Sequence, residues 1–265
     1  MKKFLLLIVF VSLLSTILFL LWMPSAEKIK GCFKTSMYEI ELCPKSKSYV
    51  ALPNVAKSLQ NAILLSEDST FYQHNGFDQD GINNCIEKIK QKHRLVCGGS
   101  TITQQLAKNL FLSKDKSFLR KGAEALITIK IEKTLSKREI LERYLNVVQF
   151  GKNIFGVKQA AQFYFKKAPS QLNVTESAFL AMVLPNPEKY SQSYYRKDLT
   201  KFAKKRLSHI IEDLFKYKRI SESEYLASVD SLDFFLRAGL AMSQPKDQSD
   251  ELTPEDISEM DEESQ

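Results

Sequence analysis

The sequence predicts a mostly α-helical domain behind one N-terminal transmembrane helix. Residues 4–22 form an almost uninterrupted apolar run, and from Pro53 onward apolar residues recur at helical spacing. At several places Ser or Asn stands three positions before a glutamate, which is typical of helix starts. The chain has 265 residues, 44% of them hydrophobic, which is enough for one large domain with a sizeable core.

The apolar run at 4–22 follows Lys2 and Lys3. A cleaved signal peptide is the alternative, but its apolar part has only about 7–15 residues and ends at a small-residue cleavage site. The residues after the run, Pro24-Ser25-Ala26, match such a site poorly. About 20 apolar residues span a bilayer, and lysines favour the cytoplasmic side. We therefore expect residues 4–22 to be an uncleaved transmembrane anchor, with residues 1–3 in the cytoplasm and residues 24–265 outside the inner membrane.

The helices are expected in one domain over residues 49–230, without internal repeats. A juxtamembrane segment, 23–48, precedes this domain. Residues 27–52 contain two strand-like pieces, YEIEL at 38–42 and SYVAL at 48–52. An apolar stretch and an acidic tail, 231–265, follow it. The expected helices are a first one around Val55 to Ile63, Thr101 to Leu112, Ser117 to Leu135, those capped by Ser136 and Glu139, by Asn173 and Glu176 and by Ser221 and Glu224, and 198–217.

Charge is unevenly distributed along the chain. Lys and Arg number 38 and Asp and Glu 31, but residues 243–265 hold nine of the acids and one lysine. Residues 1–242 therefore hold 37 basic and 22 acidic residues, a net charge of +15. So basic a domain favours anionic partners such as phosphorylated ligands or acidic lipids, and the outward orientation argues against nucleic acid. We expect the acidic tail to be disordered.

Four cysteines stand in two close pairs, Cys32 with Cys43 and Cys85 with Cys97. Disulfides form outside the inner membrane, and four cysteines allow three pairings. A zinc site is the alternative, but no pair has C-x-x-C spacing and no histidine stands near the first pair.

Residues 79–97 form a cationic amphipathic segment that suits an anionic membrane surface. Its apolar face consists of Ile82, Ile86 and Ile89, and its basic residues are Lys88, Lys90, Lys92 and Arg94. Because Cys85 and Cys97 bracket its second half, we predict a bond between them and a separate Cys32–Cys43 bond. Buried free thiols at Cys85 and Cys97 are the alternative.

Polar residues interrupt the apolar helices in four segments. These are Glu67 to Asp78, GGSTITQQLAKN at 98–109, Arg120 to Glu124 and KREILERYLNVVQFG at 137–151. A carboxylate at the end of an apolar helix suits a general base, and a Gly-Gly turn before a hydroxyl-rich helix start offers N–H groups to a phosphate. Taken singly, each segment is better explained by solvated charges, an N-cap, an i, i+4 ion pair or an amphipathic helix.

Together, in this order and spacing, the four segments resemble the signature blocks of glycosyltransferase family 51. That family comprises the glycosyltransferase domain of penicillin-binding proteins and the monofunctional biosynthetic peptidoglycan transglycosylases. The resemblance covers about residues 49–228, GGSTITQQLAKN is its most specific part, and MVLPNPEKY at 182–190 favours the monofunctional branch. It implies a lysozyme-like helical fold with a membrane-dipping lobe. The implied activity polymerises lipid II into β-1,4-linked glycan strands by inverting transfer, releasing undecaprenyl pyrophosphate.

The resemblance also implies roles for single residues. Glu67 matches the general base that deprotonates the acceptor's 4-hydroxyl. Glu124 matches a second essential carboxylate near the pyrophosphate, acting with a divalent metal (Mg²⁺ or Mn²⁺), and no organic cofactor is implied. The positions implied to bind substrate are Thr101, Gln105, Lys108, Asn109 and Arg120.

Four other residues of the first segment are expected to shape the loop. They are Asp68, Phe71, His74 and Gly76, with His74 a structural histidine. Two positions depart from the family pattern. Ser69 stands where a basic residue is usual, and Gly122 inside a helix costs about 1 kcal/mol relative to alanine.

The resemblance implies lipid II, the lipid-linked glycan chain, the membrane and other cell-wall synthesis proteins as partners, and no nucleic acid. The implied location is the bacterial inner membrane, single-pass, with the catalytic domain on the periplasmic side. A glycan-cleaving muramidase is one alternative, but it leaves Lys108, Arg120 and Glu124 unexplained. A non-catalytic membrane-anchored cell-wall assembly protein is another, and it puts no constraint on Glu67. Peptide cross-linking is not expected, because the one S-x-x-K match, at 113–116, lacks its partner motifs.

Overall fold

The computed structural model describes residues 4, 10, 23–92, 99–115 and 117–237. Over these residues the chain is mostly helical, which confirms the predicted class. The helices are α1 Ala26–Lys30, α2 Lys57–Glu67, α3 Gln79–Lys92, α4 Ile102–Phe111, α5 Phe118–Thr134, α6 Lys137–Val147, α7 Gly156–Phe165, α8 Val174–Val183, α9 Pro187–Tyr190, α10 Gln192–Arg196, α11 Lys201–Lys216 and α12 Glu222–Ser231. Single 3-10 turns cover Leu52–Asn54, Pro169–Gln171 and Phe235–Arg237.

Two short antiparallel hairpins complete the described part. Strand β1, Phe33–Lys34, pairs with β2, Glu41–Leu42. Strand β3, Gln149–Gly151, pairs with β4, Ile154–Phe155. The strand-like piece expected at 48–52 is not a strand, because the chain turns there into the 3-10 turn that begins at Leu52.

Helix α8 occupies the centre of the core. Every residue from Val174 to Val183 is buried, as expected for a helix surrounded by other elements. Helices α2 and α11 pack against α8 and against each other, while α4 packs against α5 and α6. The buried apolar faces meet in one cluster, so a single core positions the helices that carry the predicted site residues.

The predicted helix starts are confirmed. Ser136, Asn173 and Ser221 each accept a hydrogen bond from the backbone N–H three residues later, and the glutamate there accepts one from the cap's own N–H. The end residues predicted for α4 and α5 are the observed N-cap and C-cap residues. These starts are accurate because a cap depends only on neighbouring residues.

The juxtamembrane segment 23–48 packs into the helical domain. Ile29 and Leu42 are buried in the shared core, and Phe33 stacks on Phe111 with 5.2 Å between ring centroids. Cys32 and Cys43 form the predicted disulfide bond, so these thiols do not hold zinc. The folded unit therefore begins before residue 49, where the sequence placed its start.

Some predictions concern residues outside the described ranges. Within those ranges no helix combines the length and the apolar character needed to cross a membrane. The predicted anchor at 4–22 lies outside them apart from residues 4 and 10, as do the acidic residues of the tail and Cys97. The Cys85–Cys97 bond therefore stays a prediction. The amphipathic segment is a helix as far as Lys92, and Ile86 is 44% exposed.

Candidate functional site

The candidate site lies where the end of α2 meets the start of α4. Helix α2 ends at Glu67, and Asp68 is its C-cap residue. Glu67 is half-buried, whereas Asp68 is only 6% exposed. Two adjacent carboxylates thus have different surroundings, and side chains or backbone groups of α4 contact both.

Glu67 is held by a chain of hydrogen bonds from two other helices. The amide Nε2 of Gln105 donates to Glu67 Oε2 over 2.9 Å and to the carbonyl oxygen of Ser100 over 3.3 Å. The hydroxyl of Tyr144, on α6, donates to Gln105 Oε1 over 3.0 Å. Gln105, predicted to bind substrate, therefore contacts the predicted base directly.

Both oxygens of Asp68 are engaged within the protein. Oδ2 accepts from the backbone N–H of Ile102, in the first turn of α4, over 2.9 Å, and Oδ1 bonds to His74 Nε2 over 2.8 Å. The Gly76 N–H donates to His74 Nδ1 over 3.1 Å, so Nε2 must carry the proton that it donates to Asp68. His74 is a structural histidine, as predicted, and Asp68 fastens the loop to α4.

Thr101 closes the same loop from the start of α4. Its hydroxyl donates to Gly76 O over 2.7 Å and accepts from Gln104 N–H over 3.2 Å, while Gln104 Oε1 accepts from Thr101 N–H over 3.0 Å. The N–H groups of Thr101, Ile102 and Gln104 all bond within the protein. The expectation of free N–H groups is therefore not met at these positions. The hydroxyl of Thr101 supports the loop, and its contact with substrate stays a prediction.

A second group of charges lies on α5. Glu124, with 2% of its side chain exposed, accepts from Arg120 Nη1 over 2.8 Å and from Lys121 Nζ over 2.5 Å. Lys121 Nζ also donates to Ser100 Oγ over 3.2 Å. Because the carbonyl oxygen of Ser100 accepts from Gln105, Ser100 joins this group to the one around Glu67. The predicted ion pair of Arg120 and Glu124 exists, and Lys121 shares its carboxylate.

Lys108 lies three residues after Gln105 on α4 and brings a third cation to this group. Burial lowers the pKa of its ammonium below the ordinary value, an effect opposed by Glu124 and assisted by Arg120 and Lys121. In the described part of the chain Lys108 makes no ion pair. The Nε of Arg120 is likewise buried there without a hydrogen-bond acceptor. The group therefore has donors available for an anion.

A cleft of about 240 Å³ runs along Glu67, Asp68, Ser100 and Thr101, with α3 as its other wall. A larger cavity of about 760 Å³ lies between β2 and α7, and no predicted site residue lines it. We place the chemistry at the smaller cleft because it contains the held carboxylate. Of the predicted site residues, Glu67 and Thr101 line this cleft, and the others do not: Gln105, Lys108, Asn109, Arg120 and Glu124. Asn109 is buried, and its contact with substrate stays a prediction.

The side chains around Glu124 do not suit a divalent metal ion bound by the protein. Both carboxylate oxygens of Glu124 accept hydrogen bonds from cationic groups. Among the residues that the structure describes, no group of three or more His, Cys, Asp or Glu side chains is placed to bind a metal ion. Hard divalent cations prefer several oxygen ligands, which two neighbouring cations oppose.

Sequence reasoning missed three residues of the site. Ser100, Lys121 and Tyr144 stood inside the four segments but received no role. For Lys121 a signal existed, since it stands three residues before Glu124 and so shares its helix face. The sequence gave no such signal for the hydroxyl of Tyr144, because a tyrosine on the apolar face of a helix is expected to be an ordinary core residue.

Comparison with known proteins assigns the family. The Transglycosylase family model matches residues 34–215, which include every predicted site residue. A biosynthetic peptidoglycan transglycosylase of Aromatoleum aromaticum is 51% identical over 146 residues, covering 55% of this chain and 64% of that protein. One from Azoarcus sp. is 50% identical over 147 residues, covering 56% and 64%, and one from Acinetobacter baumannii is 47% identical over 137 residues, covering 52% and 61%.

The matched part of the chain spans less than two thirds of the length of these relatives. The family match itself covers well over half of the chain and both groups of charges at the site. It confirms the resemblance drawn from the four polar segments. The chain belongs to the transglycosylase family.

Proposed function

We propose that this chain is a peptidoglycan glycosyltransferase that polymerises lipid II into β-1,4-linked glycan strands by inverting transfer and releases undecaprenyl pyrophosphate. The observation that carries the proposal is a half-buried, hydrogen-bonded carboxylate, Glu67, joined through Ser100 to a group of three cations. The relatives named biosynthetic peptidoglycan transglycosylase support the same reaction.

Glu67 acts as the general base. It takes the proton of the acceptor's 4-hydroxyl, and the resulting oxygen attacks C1 of the donor sugar from the face opposite the diphosphate. The bond between C1 and the diphosphate oxygen breaks, the diphosphate leaves with the bonding electrons, and the configuration at C1 inverts. Asp68 does not compete for the proton, because both of its oxygens already accept hydrogen bonds.

The leaving diphosphate develops negative charge, which fixed cations stabilise. Lys108, Arg120 and Lys121 supply three positive charges against the single negative charge of Glu124, which leaves a surplus of two. Glu124 holds Arg120 and Lys121 in place through its two oxygens. We therefore assign Glu124 to positioning the cations rather than to proton transfer. Because its oxygens do not fit a protein-held Mg²⁺ or Mn²⁺, we route no step through a metal.

The proposed location follows from the substrate and from the apolar run at 4–22. A lipid-linked substrate must be taken from a membrane, and the run with its two lysines supports a single-pass anchor in the bacterial inner membrane with the domain on the periplasmic side. Helix α3 lines the cleft with Ile82 and exposes Ile86 beside it. This supports the membrane-dipping lobe of a lysozyme-like fold. Other cell-wall synthesis proteins are the further partners that we propose.

The test is lipid II polymerisation by the purified full-length protein in detergent, with products separated by size. Glu67→Gln preserves the shape of the side chain and removes the base, so polymerisation should fall about 10²–10⁴-fold. Glu222→Gln, at an exposed position on α12, is the matched control and should keep full activity. Both variants should unfold at the temperature of the wild-type protein.

The outcomes separate the alternatives. Polymerisation by Glu67→Gln at the wild-type rate would refute the assignment of the base. Cleavage of finished glycan without polymerisation would indicate a muramidase. Binding of lipid II without any product, in wild type and variant alike, would indicate a non-catalytic assembly protein.

A further inference from the structure

Tyr144 contacts neither substrate in the proposed reaction, yet its hydroxyl enters the hydrogen-bond chain that ends at the base. The residue lies in α6 and is completely buried. Its hydroxyl donates to Gln105 Oε1 over 3.0 Å. Burial, together with the nearby charges of Glu67 and Asp68, raises the pKa of this hydroxyl well above its ordinary value. The group therefore stays protonated and remains a donor.

The amide of Gln105 has only one satisfactory orientation between its partners. Its Nε2 donates to Glu67 Oε2 and to the carbonyl oxygen of Ser100, two groups that can only accept. Rotating the amide by half a turn would set Oε1 against both of these oxygens. The Tyr144 hydroxyl favours the observed orientation from the other side, because it offers a proton to Oε1.

We propose that Tyr144 is a positioning residue that, by fixing the amide of Gln105, orients the Glu67 carboxylate for proton abstraction. The inference rests on the proposed function. Without the hydroxyl, Oε1 of Gln105 would lose the donor that fixes it, and the amide could turn away from Glu67. The carboxylate would then lose a hydrogen bond that favours its ionised form. The bonds of Asp68 come from Ile102 and His74, so they would persist.

The chain offers a matched control for removing this hydroxyl. Tyr164, on α7, is 5% exposed, and its hydroxyl donates to the carbonyl oxygen of Phe150 over 2.8 Å. Tyr144→Phe and Tyr164→Phe each delete one buried hydroxyl and keep the ring. Only Tyr144→Phe breaks the chain of hydrogen bonds that ends at Glu67. Among the residues that the structure describes, the charged groups near Glu67 are unchanged in both variants; they are Asp68, Asp78, Lys108 and, through Asp68, His74.

Kinetics of the full-length variants test the proposal. Tyr144→Phe should lose about tenfold in kcat for lipid II polymerisation, the scale of one hydrogen bond to a charged group, with little change in KM. The acid limb of its pH–rate profile should move to higher pH, because a carboxylate without its donor binds a proton more tightly. Tyr164→Phe should change neither quantity. A Tyr144→Phe enzyme with the wild-type kcat and acid limb would overturn the proposal.

A double-mutant cycle separates positioning from loss of stability. Gln105→Leu already breaks the chain, so adding Tyr144→Phe should lower kcat no further. Independent losses that multiply in the double variant would overturn the proposal, since Tyr144 would then act by another route.

The proposal can also be tested apart from enzyme activity. In ¹³C NMR of the carboxyl-labelled protein, the titration midpoint of Glu67 should rise in Tyr144→Phe and stay unchanged in Tyr164→Phe. If the wild-type protein makes no glycan but this difference appears, the proposed function fails while the positioning role stands. If glycan synthesis depends on Glu67 but its titration is the same in all three proteins, the positioning role fails alone.

Discussion

Two glycines near the candidate site should respond in opposite directions to the same substitution. Gly76 has a φ of +91°, and a Cβ there would lie 2.7 Å from Thr128 Cγ2 and 3.1 Å from Glu132 Cγ. Gly122 lies inside α5 on an exposed face, and a Cβ there would have no neighbour within 4 Å. Alanine is therefore strained and crowded at Gly76 but unhindered at Gly122.

The two effects can be given magnitudes. At Gly76 the left-handed backbone costs an alanine about 1–2 kcal/mol, and displacing packed neighbours adds about 1–2 kcal/mol. We expect Gly76→Ala to lose about 2–4 kcal/mol of unfolding free energy and Gly122→Ala to gain up to about 1 kcal/mol. For a domain of this size 1 kcal/mol shifts Tm by about 2–4 °C, so Tm should fall by at least about 4 °C in the first variant and rise slightly in the second.

Differential scanning calorimetry of the two purified variants measures this difference. Gly76→Ala should also slow lipid II polymerisation well below its Tm, because the Gly76 carbonyl accepts from Thr101 and so helps to join the loop after Glu67 to α4. Shifts of the same sign and size in both variants would refute the description of this loop. Gly122→Ala provides the control for adding a methyl group near the site.

The donor side, its pH dependence and the second disulfide give three further predictions. A phosphate-bearing analogue of the elongating glycan should protect the wild-type protein from thermal unfolding and should protect the Lys108→Ala and Arg120→Ala variants less. If the variant with both substitutions is protected as well as the wild type, the phosphates bind elsewhere. Because the pKa of Lys108 is lowered from 10.5, affinity for this analogue should decline as the pH rises through that lowered pKa. The Lys108→Arg variant should keep its affinity for the analogue to higher pH. If the affinities of the wild type and of this variant decline at the same pH, Lys108 does not bind the analogue. Non-reducing peptide mapping should find a Cys85–Cys97 bond, which free thiols at both positions would contradict.

The sequence predicts local features of this fold well. Capping residues and helical periodicity involve neighbours three or four positions apart, and the starts at Ser136, Asn173 and Ser221 are confirmed. The predicted start of the domain, at residue 49, leaves out segment 23–48, which packs into the same core. The burial of Ile29 and Leu42 depends on helices that are distant in the sequence, and no local pattern in this short mixed segment indicates it.

The same distinction holds at the site. The family resemblance located Glu67, Gln105 and two of the three cations, Lys108 and Arg120, but their contacts join residues far apart in the chain. Glu67 and Gln105 are separated by 38 positions, and Gln105 and Tyr144 by 39. No periodicity indicates which side chain meets which across such distances. For Thr101 the pattern suggested a phosphate ligand, whereas its hydroxyl turns back onto Gly76 because the loop needs a donor there.

The packing of segment 23–48 determines where the chain can be cut to prepare the enzyme without its apolar run. A fragment starting at residue 49 would lose Ile29 and Leu42 from the core together with the disulfide bond of the segment. It would also remove the carbonyl of Lys30, to which the buried guanidinium of Arg143 donates over 2.8 Å. A fragment starting at residue 23 keeps all of these contacts and discards only residues 1–22. The shorter fragment should aggregate on expression, and the longer one is the better starting material for crystallisation and for kinetic work in low detergent.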